Sequence, residues 1–220
     1  MNQVVSFLLV FVALAVVGVL AYAALYASKT IYQLLGENKH LKEAVTNLTE
    51  ETQIGYAKVL RQEDKGNRLT TRLLFVETDR SDETKRIVEK EYDLEGDVVF
   101  FDALIVKFGN QVVMDGKEKS LYLWRRVYGE RTAPSDGLPI ELEGAEPARY
   151  ANIFTKLSMK NRELFWSEIW QLSNDPDRLK EVGVSAIYGS VVYKKLRPGL
   201  IYAFKIDNRG NLHPETVPAL

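Results

Sequence analysis

The chain has 220 residues, with 29 Lys+Arg against 30 Asp+Glu and no cysteine. A near-balanced charge excludes a polybasic nucleic-acid binder, because phosphate-backbone binding needs a clustered positive face. The missing cysteines exclude disulfides, thiolate zinc sites and cysteine nucleophiles together, and two distant histidines, His40 and His213, cannot build a metal cluster without carboxylates or another subunit.

Val4 to Ala27, VVSFLLVFVALAVVGVLAYAALYA, is a run of 24 residues without a charge. As a helix it would span about 36 Å at 1.5 Å per residue, more than the roughly 30 Å of bilayer hydrocarbon. The expectation is one retained transmembrane anchor over residues 1–28, with Tyr22 and Tyr26 at headgroup level. A cleaved signal peptide is the competing reading, since Ala21–Ala23 resembles a small-residue cleavage site. Against it, the leading MNQ carries no basic side chain and the apolar run is long for such a peptide. Lys29, Lys39 and Lys42 follow the span, and the positive-inside rule draws them to the cytoplasm. A short N-terminal tail ahead of a large C-terminal body fits exported single-pass proteins, and the body is expected on the extracytoplasmic side, in the periplasm.

Residues 29–54 read as a juxtamembrane helix. With Leu34, Leu41 and Leu48 at heptad position d, Ile31, Asn38, Val45 and Thr52 fall at a. β-Branched residues at a with leucine at d favour a parallel two-stranded coiled coil, and one asparagine at a selects register and oligomer state at some cost in stability. Glu37 at g can meet Lys42 at e of a second copy. The alternatives are a helix packed on the chain's own domain and a helix lying in the membrane surface. The second is disfavoured because Glu37, Glu43, Glu50 and Glu51 interrupt what should be a basic polar face.

After Gly55 the period changes from helical to extended. Strands are expected near Tyr56–Leu60, Leu69–Glu77, Arg86–Leu94, Asp97–Phe108 and Lys119–Tyr128, with hairpin turns at EDKGN and LEGD. DVVFFDALIVKF is apolar on both faces apart from Asp102, the mark of a central strand. Thr132–Pro147 reads as a long surface loop. NRELFWSEIWQL reads as a helix with Phe165, Ile169 and Leu172 on one face and Trp166 and Trp170 beside it. In DPDRLKEVG, Asp175 stands as N-cap, Pro176 at the first helical position and Gly183 past the end. A closing meander is expected from Ser185–Leu196 and Leu200–Asp207, turning at RPG and NRG. Residues 55–220 are thus a mainly-β domain, sandwich or barrel-like, with a helical insertion over about 150–182.

Motifs for chemistry are missing: there is no G-x-S-x-G and no G-x-G-x-x-G, and MDGKEKS lacks the leading glycine and the Ser/Thr of a phosphate loop. No cofactor or metal is implied. Asp175 and Asp177 could offer oxygens to a hard cation, but a helix cap explains them equally. Asp102 could be a buried acid or a partnered strand carboxylate. Trp124, Arg125, Arg126, Tyr128 and Arg131 gather residue types enriched at binding hot spots, and form a candidate partner surface; core aromatics with arginines at a strand end are the plainer account.

Over residues 1–54 the plan resembles that of bitopic cell-envelope scaffold proteins of the cell-division and rod-shape kinds. That resemblance is architectural and carries no function by itself; the expectation is a non-enzymatic, membrane-anchored scaffold or accessory subunit that self-associates and binds another envelope protein. A membrane-tethered module holding a lipid, glycan or peptide and a carboxylate-based hydrolase are the alternatives.

Overall fold

The computed structural model describes all residues except 1, 65, 67, 117, 118, 143, 151–164, 168, 170–174, 182, 183 and 220. It divides into two units, residues 1–45 and 46–220. The first is helical: α1 runs from Asn2 to Thr49, and its last turn belongs to the second unit. Among the described residues, no helix is long and apolar enough to cross a membrane. The expected span therefore finds no support in the structure and rests on the sequence, as does the pairing of two helices in a coiled coil.

The second unit is two antiparallel sheets. Its strands are β1 (Glu51–Asp64), β2 (Leu69–Thr78), β3 (Arg86–Glu95), β4 (Val98–Phe108), β5 (Leu121–Gly129), β6 (Leu138–Pro139), β7 (Val184–Lys195), β8 (Leu200–Asp207) and β9 (Leu212–Pro218). Short helices α2 (Asn110–Met114) and α3 (Pro176–Glu181) lie between them. One sheet has the order β3-β2-β1-β8-β9 and the other β6-β5-β4-β7. β4 is central in its sheet, as its two apolar faces require.

Alternation along β4 feeds two cores. Val99, Phe101, Ala103 and Ile105 join a cluster drawn from both sheets, where Phe75, Phe101, Trp124 and Phe204 pack with ring centroids 4.7–6.1 Å apart. Leu104, Val106 and Phe108 point the other way, into a second cluster with Tyr150, Phe165, Trp166, Ile169 and Leu179. Each Val, Leu, Ile or Phe among them contributes about 1.5–3 kcal/mol on burial. Asp175 caps α3 as expected, accepting from the Arg178 amide at 3.2 Å. Of the expected insertion helix, Phe165–Ser167 and Ile169 are helical, while Trp170 and Leu172 lie outside the described residues.

Two expected pairings are corrected. LEGD and RPG look in sequence like turns between neighbouring strands, yet β3 and β4 lie in different sheets, and so do β7 and β8. Gly96, at φ 95°, makes the first turn, but the doubly apolar sequence of β4 needs the centre of the opposite sheet and carries the chain across. The crossing is tight at Gly129, where a Cβ would collide with the Glu95 carbonyl. NRG does close a hairpin, β8–β9. The β domain also begins earlier than Gly55: Glu51, Thr52 and Gln53 already pair with Asp207, Ile206 and Lys205.

Candidate functional site

Along α1 the expected self-association stripe is exposed where its side chains are described. Leu34 is 58%, Leu41 65% and Val45 52% exposed, and Tyr32 and Leu35 beside them are 75% and 61% exposed. Asn38 is exposed between Leu34 and Leu41, while the Ile31 side chain lies outside the described residues. Gln33 donates to Glu37 at 3.0 Å along the polar face. The two C-terminal members of the stripe depart from it. Leu48 packs against the second core cluster, and Thr52 lies on β1 opposite Ile206 rather than on a helix.

The last turn of α1 is held by the β domain itself. A helix end leaves carbonyls without helical donors; here the Asn208 side-chain amide donates to the Asn47 carbonyl at 2.7 Å. Asn47 donates its own side-chain amide to the Met114 carbonyl at 2.9 Å. Lys119 reaches Glu50 at 2.9 Å and draws that carboxyl below its ordinary range. The packing of a helix on its own domain therefore accounts for residues 46–50.

The candidate surface around β5 is split by a bulge at Arg125, which shifts the strand's alternation between Trp124 and Tyr128. Trp124 is fully buried in the first core and cannot meet a partner, and Tyr128 is 7% exposed. On the outer face Tyr128 stacks on Phe100 at 5.1 Å with the rings 7° from parallel, and Phe100 meets Tyr193 at 5.7 Å. A register shift between Asp102 and Ala103 opposes Arg126 to Asp102 and Trp124 to Ala103. Arg126 reaches Asp102 at 3.1 Å and Arg125 at 3.6 Å. Asp102 is thus a partnered carboxylate. Arg131 stands apart, exposed and paired with Glu95 at 3.3 Å.

The densest polar cluster closes the edge of β5. β6 covers Arg126 and Val127, the Ile140 and Glu141 amides donate to the Arg125 and Trp124 carbonyls, and beyond them side chains replace a strand. The Glu141 carboxylate accepts from the Trp124 amide at 2.8 Å, Arg149 donates to the Tyr122 carbonyl at 2.8 Å, and the Tyr150 hydroxyl both accepts from the Tyr122 amide and donates to its carbonyl. Arg149 also bridges Glu141 and, at 3.0 Å, the fully buried Glu77. One guanidinium shared by two carboxylates leaves a net negative charge out of water. Burial, with Glu141 adding to it against the pull of Arg149, raises Glu77 to about 7. Burial likewise pushes the Tyr122 hydroxyl well above the ordinary tyrosine range, so it stays protonated and donates to Glu77 at 2.9 Å. Among the described residues no three His, Cys, Asp or Glu side chains converge on a metal position.

The expected surface loop 132–147 is therefore half structural: it runs back along β5 and delivers Ile140 to the core and Glu141 to the edge. Sequence reasoning missed Glu77, Glu141, Arg149 and Tyr150. One signal was present, a lone glutamate ending the apolar run LLFVE. Comparison with protein-family models, with curated proteins and with solved structures finds no match for the chain.

Proposed function

We propose that the chain is a non-enzymatic, membrane-anchored scaffold or accessory subunit of a cell-envelope membrane protein complex. It is held by the uncharged run Val4–Ala27, self-associates through α1, and binds another envelope protein with an extracytoplasmic β domain. The observation that carries this reading is the exposure of Leu34, Leu35 and Leu41 on a helix with heptad spacing. Such a stripe in water favours burial against a like helix, and Asn38 selects the parallel register. Two chains in one membrane also meet at raised effective concentration.

The non-enzymatic part rests on what the buried carboxylates are doing. Glu77 is occupied by Tyr122 and Arg149, Asp102 by Arg126, and Asp207 by the amides of Arg209 and Asn211. A pair of carboxylates acting on a substrate needs them turned toward a cleft.

Crosslinking in native membranes tests the reading. Asn38→Val is expected to shift the dimer toward a different or mixed oligomer state, because the buried amide no longer penalises other registers. Both proteins running as unchanged monomers would sink it.

A further inference from the structure

Sheet edges expose unpaired N–H and C=O groups and recruit other strands unless they are blunted. Three of the four edges formed by the described residues are blunted. β3 carries Arg86, Glu89, Lys90, Glu91, Asp93 and Glu95. β9 carries Pro214 and Pro218, which lack the donor a ladder needs. The β5 edge is covered by β6 and by Glu141, Arg149 and Tyr150. The fourth edge, β7, runs for 12 residues, and among the described residues it pairs with β4 alone. From Val184 to Tyr193, VSAIYGSVVY, it has no charge and no proline; its lysines, Lys194 and Lys195, stand only at its last two positions.

We propose that β7 pairs antiparallel with β7 of a second copy about a two-fold axis at Gly189, joining two four-stranded sheets into one. Exposed backbone groups specify an extended strand as the occupant. The sequence of β7 specifies its own copy. Around Gly189, Ile187 falls opposite Val191, Tyr188 opposite Ser190 and Ala186 opposite Val192, large against small on the inner side and aliphatic against aliphatic on the outer. Charge agrees: the antiparallel register sets Lys194 opposite Val184, whereas a parallel one would stack both lysines on themselves. At the axis, Gly189 has open space where a Cβ would stand. The inference rests on the self-associating reading above for its choice of a second copy, while the strand edge is independent of the helix.

The absence of cysteine makes the test clean. In the full chain in membranes, Gly189→Cys is treated with copper-phenanthroline, with Glu89→Cys on β3 as control and Leu41→Cys as a separate report on helix pairing. Gly189→Cys is expected to give a covalent dimer and Glu89→Cys none. Adding Val191→Lys, which enters a symmetric interface twice, is expected to cut the yield about tenfold. A Leu41→Cys crosslink without a Gly189→Cys crosslink overturns the strand pairing and leaves the helix reading standing; the converse does the reverse. A Gly189→Cys adduct with a different protein also overturns it. Hydrogen exchange covers the case where Gly189→Cys does not fold. Amides of 185–193 are expected to exchange more slowly in the unaltered chain than in Val191→Lys, and equal rates overturn the proposal.

Discussion

Asn208 donates its side-chain amide to the backbone carbonyl of Asn47 at 2.7 Å, linking the β8–β9 turn to the final turn of a helix 161 residues earlier. The bond supplies a donor that the helix end lacks, and Asn208 is 3% exposed. Asn208→Ala leaves a half-buried carbonyl unpaired, with an expected loss of about 1–3 kcal/mol in urea unfolding. A loss confined to a few tenths of a kcal/mol would mean that water takes the place of the amide.

Glu77 predicts a stability that falls as pH rises. Its folded-state pKa, about 7, lies above the ordinary 4.5, so the folded chain holds the proton more tightly than the unfolded one. The contribution is fully present below pH 4.5 and lost as pH rises through 7, an effect on the order of 3 kcal/mol. Asp79 acts in the opposite sense. Ser81 and Lys85 hold it down to about 2, so its contribution is lost as pH falls below 4. Glu77→Gln is expected to flatten urea midpoints between pH 5 and 7.5 while keeping an acceptor for Tyr122. An unchanged slope would place the titration elsewhere.

Arg149→Met is expected to cost about 3–5 kcal/mol, because it strands Glu77 and Glu141 together out of water. The double variant Arg149→Met with Glu77→Gln should recover a large part of that loss. Additive losses in thermal unfolding would show that Arg149 acts through packing instead of charge.

Gly129→Ala drives a methyl into the Glu95 carbonyl where the chain passes between sheets. Backbone meets backbone there, so neither side can rotate away. An expected cost of about 1–3 kcal/mol would be read as a lowered Tm; an unchanged Tm would mean the crossing can widen freely.

Strands were legible because their signal is local. β2, β3, β4, β7 and β8 lie within one or two residues of where alternation and turn glycines put them. Neighbours were legible at EDKGN and NRG, which lie between the paired strands β1–β2 and β8–β9, but not at LEGD or RPG, because a glycine turn serves a hairpin and a sheet-to-sheet crossing alike. Glu51–Gln53 has no alternation and becomes strand only through pairing with β8. The cluster around Arg149 was hidden for a related reason. Its members come from β2, β5 and a loop rich in Pro and Gly, brought together by tertiary packing without any fixed spacing. Trp124 misled because an aromatic beside two arginines reads the same whether it faces a partner or the core.

The turn of helix built into the β domain decides where the chain can be cut. A soluble fragment beginning at Gly55, the point where the sequence changes period, would discard Leu48 from the second core and the pairing of Glu51–Gln53 with β8. One beginning ahead of Thr46 keeps both. A protease acting on the exposed helix between Tyr32 and Lys42 should therefore leave a resistant product whose new N-terminus lies upstream of Thr46, with both sheets behind it.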